Sequence, residues 1–411
     1  MSLPISFSVN VSPVEARKRN PESLTARLSG TRYVFIVHYL CNCCVWDKFS
    51  RPCIMLTSVR FFLSAGNRDQ TADLLKGLAV VFMILVHLVE LFAAPAIYDS
   101  IAGRVALFLG GPPAAPVFMA VMGYFLASSR KSSTQHIRRG VSLFLGGIAL
   151  NIGLNFNLLL SIRSGRFDLD PLPYIFGADI LPLAGLSVMA FALLRPLFRR
   201  SWIAYLIPAF AVAAVTPLLH NMETSDPFLK YIVPFLWGQS SWSYFPLFPW
   251  LAYPLLGYAY RIASESLTLH SRMTPPIRLL LLVLCTSGLL IFSETAYAIS
   301  VDLPRYYHHS LSFTLWVAVF LCAWTLLVSF FEEQTGNTLP VLYIKWMGRN
   351  VTAAYVFQWL FIGNLATELY RSQTALLTLI WFVVALAVTT CCIIVWQRVK
   401  PKLTTLVTSS V

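Results

Sequence analysis

Residues 74–92 read LLKGLAVVFMILVHLVELF, a stretch long and apolar enough to cross a lipid bilayer as one helix. The same stretch contains three ionisable side chains, Lys76, His87 and Glu90. Each ionisable group at the centre of a membrane helix costs roughly 2.5–3.5 kcal/mol on insertion scales. We therefore expect this helix to turn its polar side toward the interior of a helix bundle or a water-filled cavity.

The composition of the whole chain places this helix in a larger membrane domain. Of 411 residues, 57% are hydrophobic and 12% are charged, whereas a soluble domain has about 25% charged residues. The net charge of +13 is carried by short clusters between apolar runs, which is typical of cytoplasmic membrane loops and indicates contact with anionic lipid rather than nucleic acid. The sequence predicts an all-α, polytopic integral membrane bundle.

Apolar runs of about 20 residues predict the membrane-spanning helices. Ten such segments are present, at residues 75–92, 114–128, 141–160, 175–194, 202–218, 245–261, 277–296, 311–331, 351–369 and 376–396.

The basic residues between these segments predict the orientation of the chain. With the N-terminus inside, fifteen lie in inner loops or the tail: Arg130, Lys131, Arg138, Arg139, Arg195, Arg199, Arg200, Arg261, Arg272, Arg278, Lys345, Arg349, Arg398, Lys400 and Lys402. Six lie in outer loops: Arg104, Arg163, Arg166, Lys230, Arg305 and Arg371. Because inner loops of membrane proteins are enriched in Lys and Arg, this asymmetry predicts ten spans with both termini in the cytoplasm.

Three parts of the chain differ in character. Residues 1–67 are polar and basic at the start and predict a poorly ordered cytoplasmic extension with no signal peptide. Cys41, Cys43 and Cys44 lie in this region, but their spacing does not match a paired zinc motif, so we expect no metal site. Residues 68–402 form the membrane domain, and residues 403–411 form a short tail.

Helical geometry places the polar residues of the first span on one stripe. At 100° per residue, Lys76 and His87 differ by only about 20° around the axis, and Asp73 and His87 by about 40°. The Cα atoms of Lys76 and His87 are about 16 Å apart along the axis. Lys76 can also snorkel, Asp73 can cap the first turn, and Glu90 can lie at headgroup level. His87 is too deep for such an explanation and is the main candidate for chemistry.

The stretch RDQTADLLKGLAVVFMILVHLVELF, at residues 68–92, resembles the first helix of the transmembrane acyltransferase superfamily. This group includes acyltransferase family 3 and proteins similar to heparan-α-glucosaminide N-acetyltransferase. The matching positions are Arg68, Asp73, Lys76 and His87, although Lys76 stands where the family usually has arginine. Three further stretches resemble the family in the same order: GPPAAPVFMAVMGYFLASS, FPLFPWLAYPLLGYAYR and MGRNVTAAYVFQWLFIGN.

The resemblance implies transfer of an acyl group, commonly acetyl, from cytoplasmic acyl-CoA to a hydroxyl or amine of an extracytoplasmic sugar. His87 is the implied general base or acyl carrier, oriented by Glu90 or Asp73. Acyl-CoA is a co-substrate, and no permanently bound cofactor is expected. The residues expected to hold its phosphates are Lys76, Arg68, Arg130, Arg139, Arg349 and Asn350. The residues expected near the acceptor are Asp179, Trp242, Tyr244, Trp250 and His308.

Other interpretations of these residues stay open at this point. The outer aromatic residues are also typical of an interfacial belt. Gln358 and Asn364 either line a cavity or bond neighbouring helices, and we expect the latter; Asn151, Asn155 and Asn157 pose the same choice. The polar stripe is also compatible with a proton-coupled transporter or flippase, or with a receptor-like protein. The expected location is a cell membrane, such as a bacterial inner membrane; neither acceptor nor oligomeric state follows from the sequence.

Overall fold

The computed structural model describes residues 69–219, 222, 226, 228–238, 240–336 and 338–409. The long helices are α1 Gln70–Leu91, α2 Ile101–Gly110, α3 Ala115–Ala127, α4 Ser133–Leu154, α5 Phe156–Arg163, α6 Ile180–Phe198, α7 Trp202–Leu219, α8 Ala252–Ser266, α9 Pro275–Ile291, α10 Ser293–Ser300, α11 Leu311–Thr335, α12 Leu339–Arg349, α13 Val351–Leu369 and α14 Ala375–Ser409. Short helical turns lie at Pro95–Tyr98, Leu172–Ile175, Leu229–Ile232, Val233–Phe235, Leu247–Trp250, Leu269–Arg272 and Leu303–Tyr307. The predicted all-α class is confirmed.

Local signals explain where several helices begin. The side chain of Asp69 accepts a hydrogen bond from the Ala72 amide at the start of α1. Ser132 and Gln135 form a reciprocal capping box at the start of α4, and Asp179 caps α6. These side chains satisfy amide donors that the first turn of a helix leaves without partners.

Fewer helices are long and apolar enough to span a membrane than the ten that the sequence predicts. Each of the ten predicted segments is mostly helical, and the predicted segment 351–369 matches α13. Seven helical segments of the described chain are long and apolar enough to cross a membrane, or eight if the pair α9 and α10, bent by 75°, counts as one. The count of ten is therefore not confirmed. α12 lies in a region predicted as a loop, and α14 continues through most of the predicted tail.

α1 lies at the centre of the bundle. It packs against α2, α3, α11, α12, α13 and α14, and Leu74, Ile84 and Leu88 on it are fully buried. α9 lies at the periphery, where it packs mainly on α11 and exposes Leu280 and Val283. Apolar residues exposed on a membrane helix are suited to contact with lipid, so α1 is the interior helix and α9 faces outward.

Two glycines bring α1 and α12 into direct backbone contact. A Cβ added at Gly77 would collide with the carbonyl oxygen of Ile344, and one added at Gly348 would collide with the carbonyl oxygen of Asp73. Small residues at membrane helix interfaces permit this close approach. The contact places the end of α12, with Arg349, beside Asp73 and Lys76 of α1.

Candidate active site

The first turns of α1 hold a compact ion cluster. The Nζ of Lys76 donates to Oδ1 of Asp73 at 2.7 Å, and Nε of Arg349 lies 3.7 Å from Oδ2 of the same carboxylate. The Asp73 side chain is only 2% exposed, and those of Lys76 and Arg349 are each 12% exposed. Lys76 also lies over the ring of Phe125 at 4.9 Å. One carboxylate thus holds two cations of low exposure in fixed positions.

The other residues predicted to bind acyl-CoA differ in their exposure and in their hydrogen bonds. Arg130 and Arg139 are exposed. Tyr124 of α3 donates to Asp69 at 3.0 Å, so the end of α3 that leads toward Arg130 lies on the same side of the bundle as the start of α1. Asn350 joins α12 and α13: its amide donates to Trp346 O at 2.8 Å and accepts from Gln397 at 2.7 Å. The Asn350 side chain therefore has a structural role, because it connects α12 to α14. Arg68 lies outside the described residues.

His87 lies farther along α1, against α13. Its ring stacks on Trp359 with centroids 4.0 Å apart, and the side chain of Gln358 interacts with it. Within the described chain, Nδ1 of His87 and both amide atoms of Gln358 are buried and lack hydrogen bonds of good geometry. Buried polar atoms normally have partners, so this group has hydrogen-bonding capacity left for a ligand.

Glu90 follows His87 by three residues and belongs to an acidic and aromatic cluster. Glu90 interacts electrostatically with Arg371 and Asp179. Asp179 accepts a hydrogen bond from Tyr355 of α13 at 2.7 Å. Tyr244 also interacts with both carboxylates. The predicted residues Glu90, Asp179 and Tyr244 thus come from distant parts of the chain to one place beyond His87.

Neither acid predicted to orient His87 contacts its ring among the described residues. Asp73 binds Lys76 and Arg349 near the opposite end of α1, about 21 Å from His87 along the helix axis. Glu90 interacts with Arg371 and Asp179 instead. Trp359 and Gln358 are the side chains that hold the imidazole.

The remaining aromatic predictions require one correction. Trp242 stacks on Tyr231 at 5.8 Å, and its backbone carbonyl accepts from the Ala178 amide at 2.8 Å. Trp250 is fully buried, and its indole donates to Tyr307 O at 2.8 Å. No face of Trp250 is open to a ligand, so its predicted substrate contact is replaced by a packing role.

The predicted His308 is half-buried at the end of the short helix Leu303–Tyr307. Its neighbour His309 lies in the core, where its two ring nitrogens interact with Tyr253 OH and Tyr306 O, each at 2.7 Å. A histidine with both nitrogens engaged has little capacity left for a substrate. His87 is therefore better placed for chemistry than His309.

The polar residues of α4 and α13 separate into two kinds. Asn364 donates to Gly153 O and Leu360 O at 2.8 Å each, and its own oxygen accepts from the Asn157 amide. Asn151 and Asn155 likewise bond carbonyl groups of the 174–177 segment and of α4. These asparagines bond neighbouring segments, as we expected for Asn364. Gln358 was expected to do the same, and its side chain interacts with His87 on the neighbouring helix α1.

Sequence reasoning missed the part of the site that α13 supplies. Tyr355, Gln358 and Trp359 share one face of α13 because residues three or four apart are neighbours on a helix, and they contact Asp179 and His87. The i, i+3, i+4 spacing of these polar and aromatic residues was the available signal. Arg371 was assigned only to an outer loop. In the described residues, no group of three or more His, Cys, Asp or Glu side chains is arranged to hold a metal ion.

The fold and the site define an integral membrane protein in which half-buried His87 lies between a basic cluster and an acidic, aromatic cluster. Residues 68–293 match the family model of the heparan-alpha-glucosaminide N-acetyltransferase catalytic domain. The matched segment covers 226 of 411 residues, and the chain belongs to this family of membrane acetyltransferases. A comparison with curated proteins gives no significant match. The family match ends before α11, so Arg349, Gln358, Trp359 and Arg371 lie beyond it.

Proposed function

We propose that the protein transfers an acyl group, acetyl in the simplest case, from acyl-CoA to an amine or hydroxyl of a sugar acceptor such as a glucosaminide. His87 is the reacting histidine. The family membership supports acetyl transfer. The observation that carries the assignment of His87 is that its buried Nδ1 faces the Gln358 side chain and makes no hydrogen bond of good geometry, between a basic cluster and an acidic, aromatic cluster.

The charge distribution along α1 orients the two substrates. CoA carries several phosphate charges, and phosphates bind Lys and Arg through charge-assisted hydrogen bonds. Lys76 and Arg349, together with the exposed Arg130 and Arg139, suit the CoA phosphates at the cytoplasmic side. Glu90, Asp179 and Tyr244 suit the hydroxyl and amine groups of a sugar on the opposite side. This orientation has both termini in the cytoplasm.

The reaction needs a base that removes the proton of the attacking atom and then returns it to the leaving thiolate. The acceptor nitrogen or oxygen attacks the thioester carbonyl carbon while a neutral His87 nitrogen removes the proton from the attacking atom. The tetrahedral intermediate collapses, the carbon–sulfur bond breaks, and the CoA thiolate takes the proton from the imidazolium. In the two-step version, a neutral His87 nitrogen attacks the thioester carbon, the carbon–sulfur bond breaks, and the thiolate leaves with the ring proton. The acceptor then attacks the acyl-imidazole and its proton returns to the ring. Gln358 is placed to hold the ring in either case.

The test uses the full chain purified into lipid nanodiscs, with acetyl-CoA radiolabelled in the acetyl group. We expect His87→Ala to lower CoA release and acetyl transfer by about 100-fold or more, as is typical for loss of a general base. Leu280→Ala, on the outward face of α9, is the control and should keep normal rates. Unchanged turnover in His87→Ala would exclude this mechanism. Proton-coupled solute uptake by proteoliposomes without thioester cleavage would instead support a transporter.

A further inference from the structure

Arg371 is held in an unusual backbone conformation beside the end of α1. Its φ is +47°, in the left-handed region that non-glycine residues rarely adopt. Its amide donates to Leu91 O at 2.9 Å. Gln373 N and Phe92 O are joined at 2.8 Å, and Ala94 N and Gln373 O at 2.9 Å. These bonds fix Arg371 to the helix that carries His87 and Glu90.

The side chain of Arg371 lies among aromatic rings. Its guanidinium is 5.1 Å from the centroid of Tyr98 and 5.8 Å from that of Tyr370. It interacts electrostatically with Glu90 and Tyr98. Within the described residues, however, the guanidinium forms no hydrogen bond and no ion pair within 4 Å, and its Nε is buried without a partner.

A comparison with Arg166 shows what is different about Arg371. Arg166 is half exposed and forms a two-pronged ion pair with the half-exposed Glu368, as is common for an arginine at a protein surface. Arg371 is less exposed, and its five N–H donors have no acceptor among the described residues. A guanidinium fork fits a carboxylate, phosphate or sulfate with two parallel hydrogen bonds. An interfacial arginine that serves only topology needs neither a strained backbone nor a buried donor.

We propose that Arg371 binds an anionic group carried by the acceptor sugar. This inference rests on the proposed function, because it assigns the sugar to the Glu90 side of His87. Glu90 lies one helical turn beyond His87, about 4.5 Å along the axis, and Arg371 lies beside Glu90. The anionic group is therefore on the same sugar residue as the reacting amine or hydroxyl, or on the adjacent one. Tyr98 and Tyr370 hold the guanidinium plane while its fork faces the ligand.

The test measures two sugars that differ only in charge, glucosamine and glucosamine 6-phosphate. Binding to the nanodisc protein is measured by calorimetric titration, and acetyl transfer is measured in parallel. We expect the unaltered protein to bind the phosphorylated sugar more tightly. Arg371→Gln should weaken binding of that sugar about tenfold to a hundredfold, the range of a charged hydrogen-bonded contact, with less than a twofold change for glucosamine. Arg371→Lys should fall between, because it keeps the charge but not the fork.

Arg163→Gln is the matched control, since Arg163 also lies on the outer side of the predicted topology. It should leave both binding constants unchanged. Equal affinity of the unaltered protein for the two sugars overturns the inference, as does an equal loss for both sugars in Arg371→Gln. Because binding is measured without thioester chemistry, an absence of CoA release would refute the proposed function while leaving the Arg371 result to be judged separately.

Discussion

The two ends of α1 differ in how their polar groups are satisfied. At the end that carries Lys76, one carboxylate binds two cations, and backbone contact between α1 and α12 fixes them. At the end that carries Glu90, the charged groups lie near one another without ion pairs in the described residues. Buried atoms of His87, Gln358 and Arg371 have no hydrogen-bond partner there.

We expect this difference to separate the residues of α1 that govern stability from those that govern the proposed activity. A buried charge with a partner contributes to a defined geometry, and removing the partner is costly. A buried polar group without a partner lowers stability; a bound ligand that supplies the missing partner offsets that cost. We therefore expect substitutions at the Lys76 end to affect stability first, and those beyond His87 to affect activity first.

Asp73→Ala should have the largest effect on stability. It leaves Lys76 and Arg349 beside each other without their shared carboxylate, and loss of one member of a buried ion pair typically costs about 3–5 kcal/mol. Denaturation in mixed micelles should show this as a lower free energy of unfolding. Glu265→Gln, in a more exposed ion pair with Arg261, is the control and should cost less than about 1 kcal/mol. Similar losses of unfolding free energy in both variants would show that the ion cluster at the Lys76 end stabilises the protein no more than an exposed ion pair does.

Gly348→Ala should have the second largest effect, because the new methyl group meets the carbonyl oxygen of Asp73. Overpacking at such a contact typically costs about 1–3 kcal/mol. Gly146→Ala is the matched control on α4, where a Cβ meets no atom within 4 Å. That variant should keep or slightly raise stability, because alanine favours a helix over glycine. A neutral Gly348→Ala would show that the two helices separate easily.

Gln358→Met should lower activity without lowering stability, the reverse of the effect expected at the Lys76 end. The buried amide makes no hydrogen bond of good geometry, so an apolar side chain of similar size should leave the thermal midpoint unchanged or raise it. Acetyl transfer should fall about tenfold, because a thioether cannot position the His87 ring as the neighbouring amide does, and a tenfold loss corresponds to about 1.4 kcal/mol. Melting curves and initial rates from the same preparation check this. A destabilised variant with full activity would contradict it.

Arg166→Gln should have the smallest effect. The pair of Arg166 with Glu368 is about half exposed on both sides, and exposed ion pairs typically contribute about 0.2–1 kcal/mol. The thermal midpoint and the affinity for both glucosamine probes should be nearly unchanged. A marked loss of acetyl transfer would extend the functional region outward beyond Arg371.

The sequence is informative about features that depend on residue spacing within a single helix. Helix α13 falls on its predicted range, and the stripe of Asp73, Lys76 and His87 follows from residue spacing on α1 alone. α12 was missed because it is an 11-residue helix, shorter than a membrane span, and carries Lys345 and Arg349. Its position depends on contact with Gly77, which sequence spacing does not reveal.

Tertiary packing decided the residues that were misjudged. Trp250 looked like an interfacial aromatic residue, but the carbonyl of Tyr307 and the surrounding rings enclose it. Gln358 and Asn364 are alike in sequence terms, yet only Asn364 finds carbonyl groups of α4 within reach. Arg371 is held beside α1 by a backbone bond from its own amide to Leu91 and by one from the Gln373 amide to Phe92, and no local pattern predicts those bonds.

If the reaction proceeds as proposed, the spacing between Lys76 and His87 sets the length that the donor must have. In the proposed reaction, a donor with its phosphate beside Lys76 and its acyl carbonyl beside His87 must reach about 16 Å through the bundle. An acyl phosphate joins the two groups through a single oxygen and is far too short. A donor with a long flexible arm between phosphate and thioester spans the gap. The length of one helix thereby selects the donor without a specific contact to its arm.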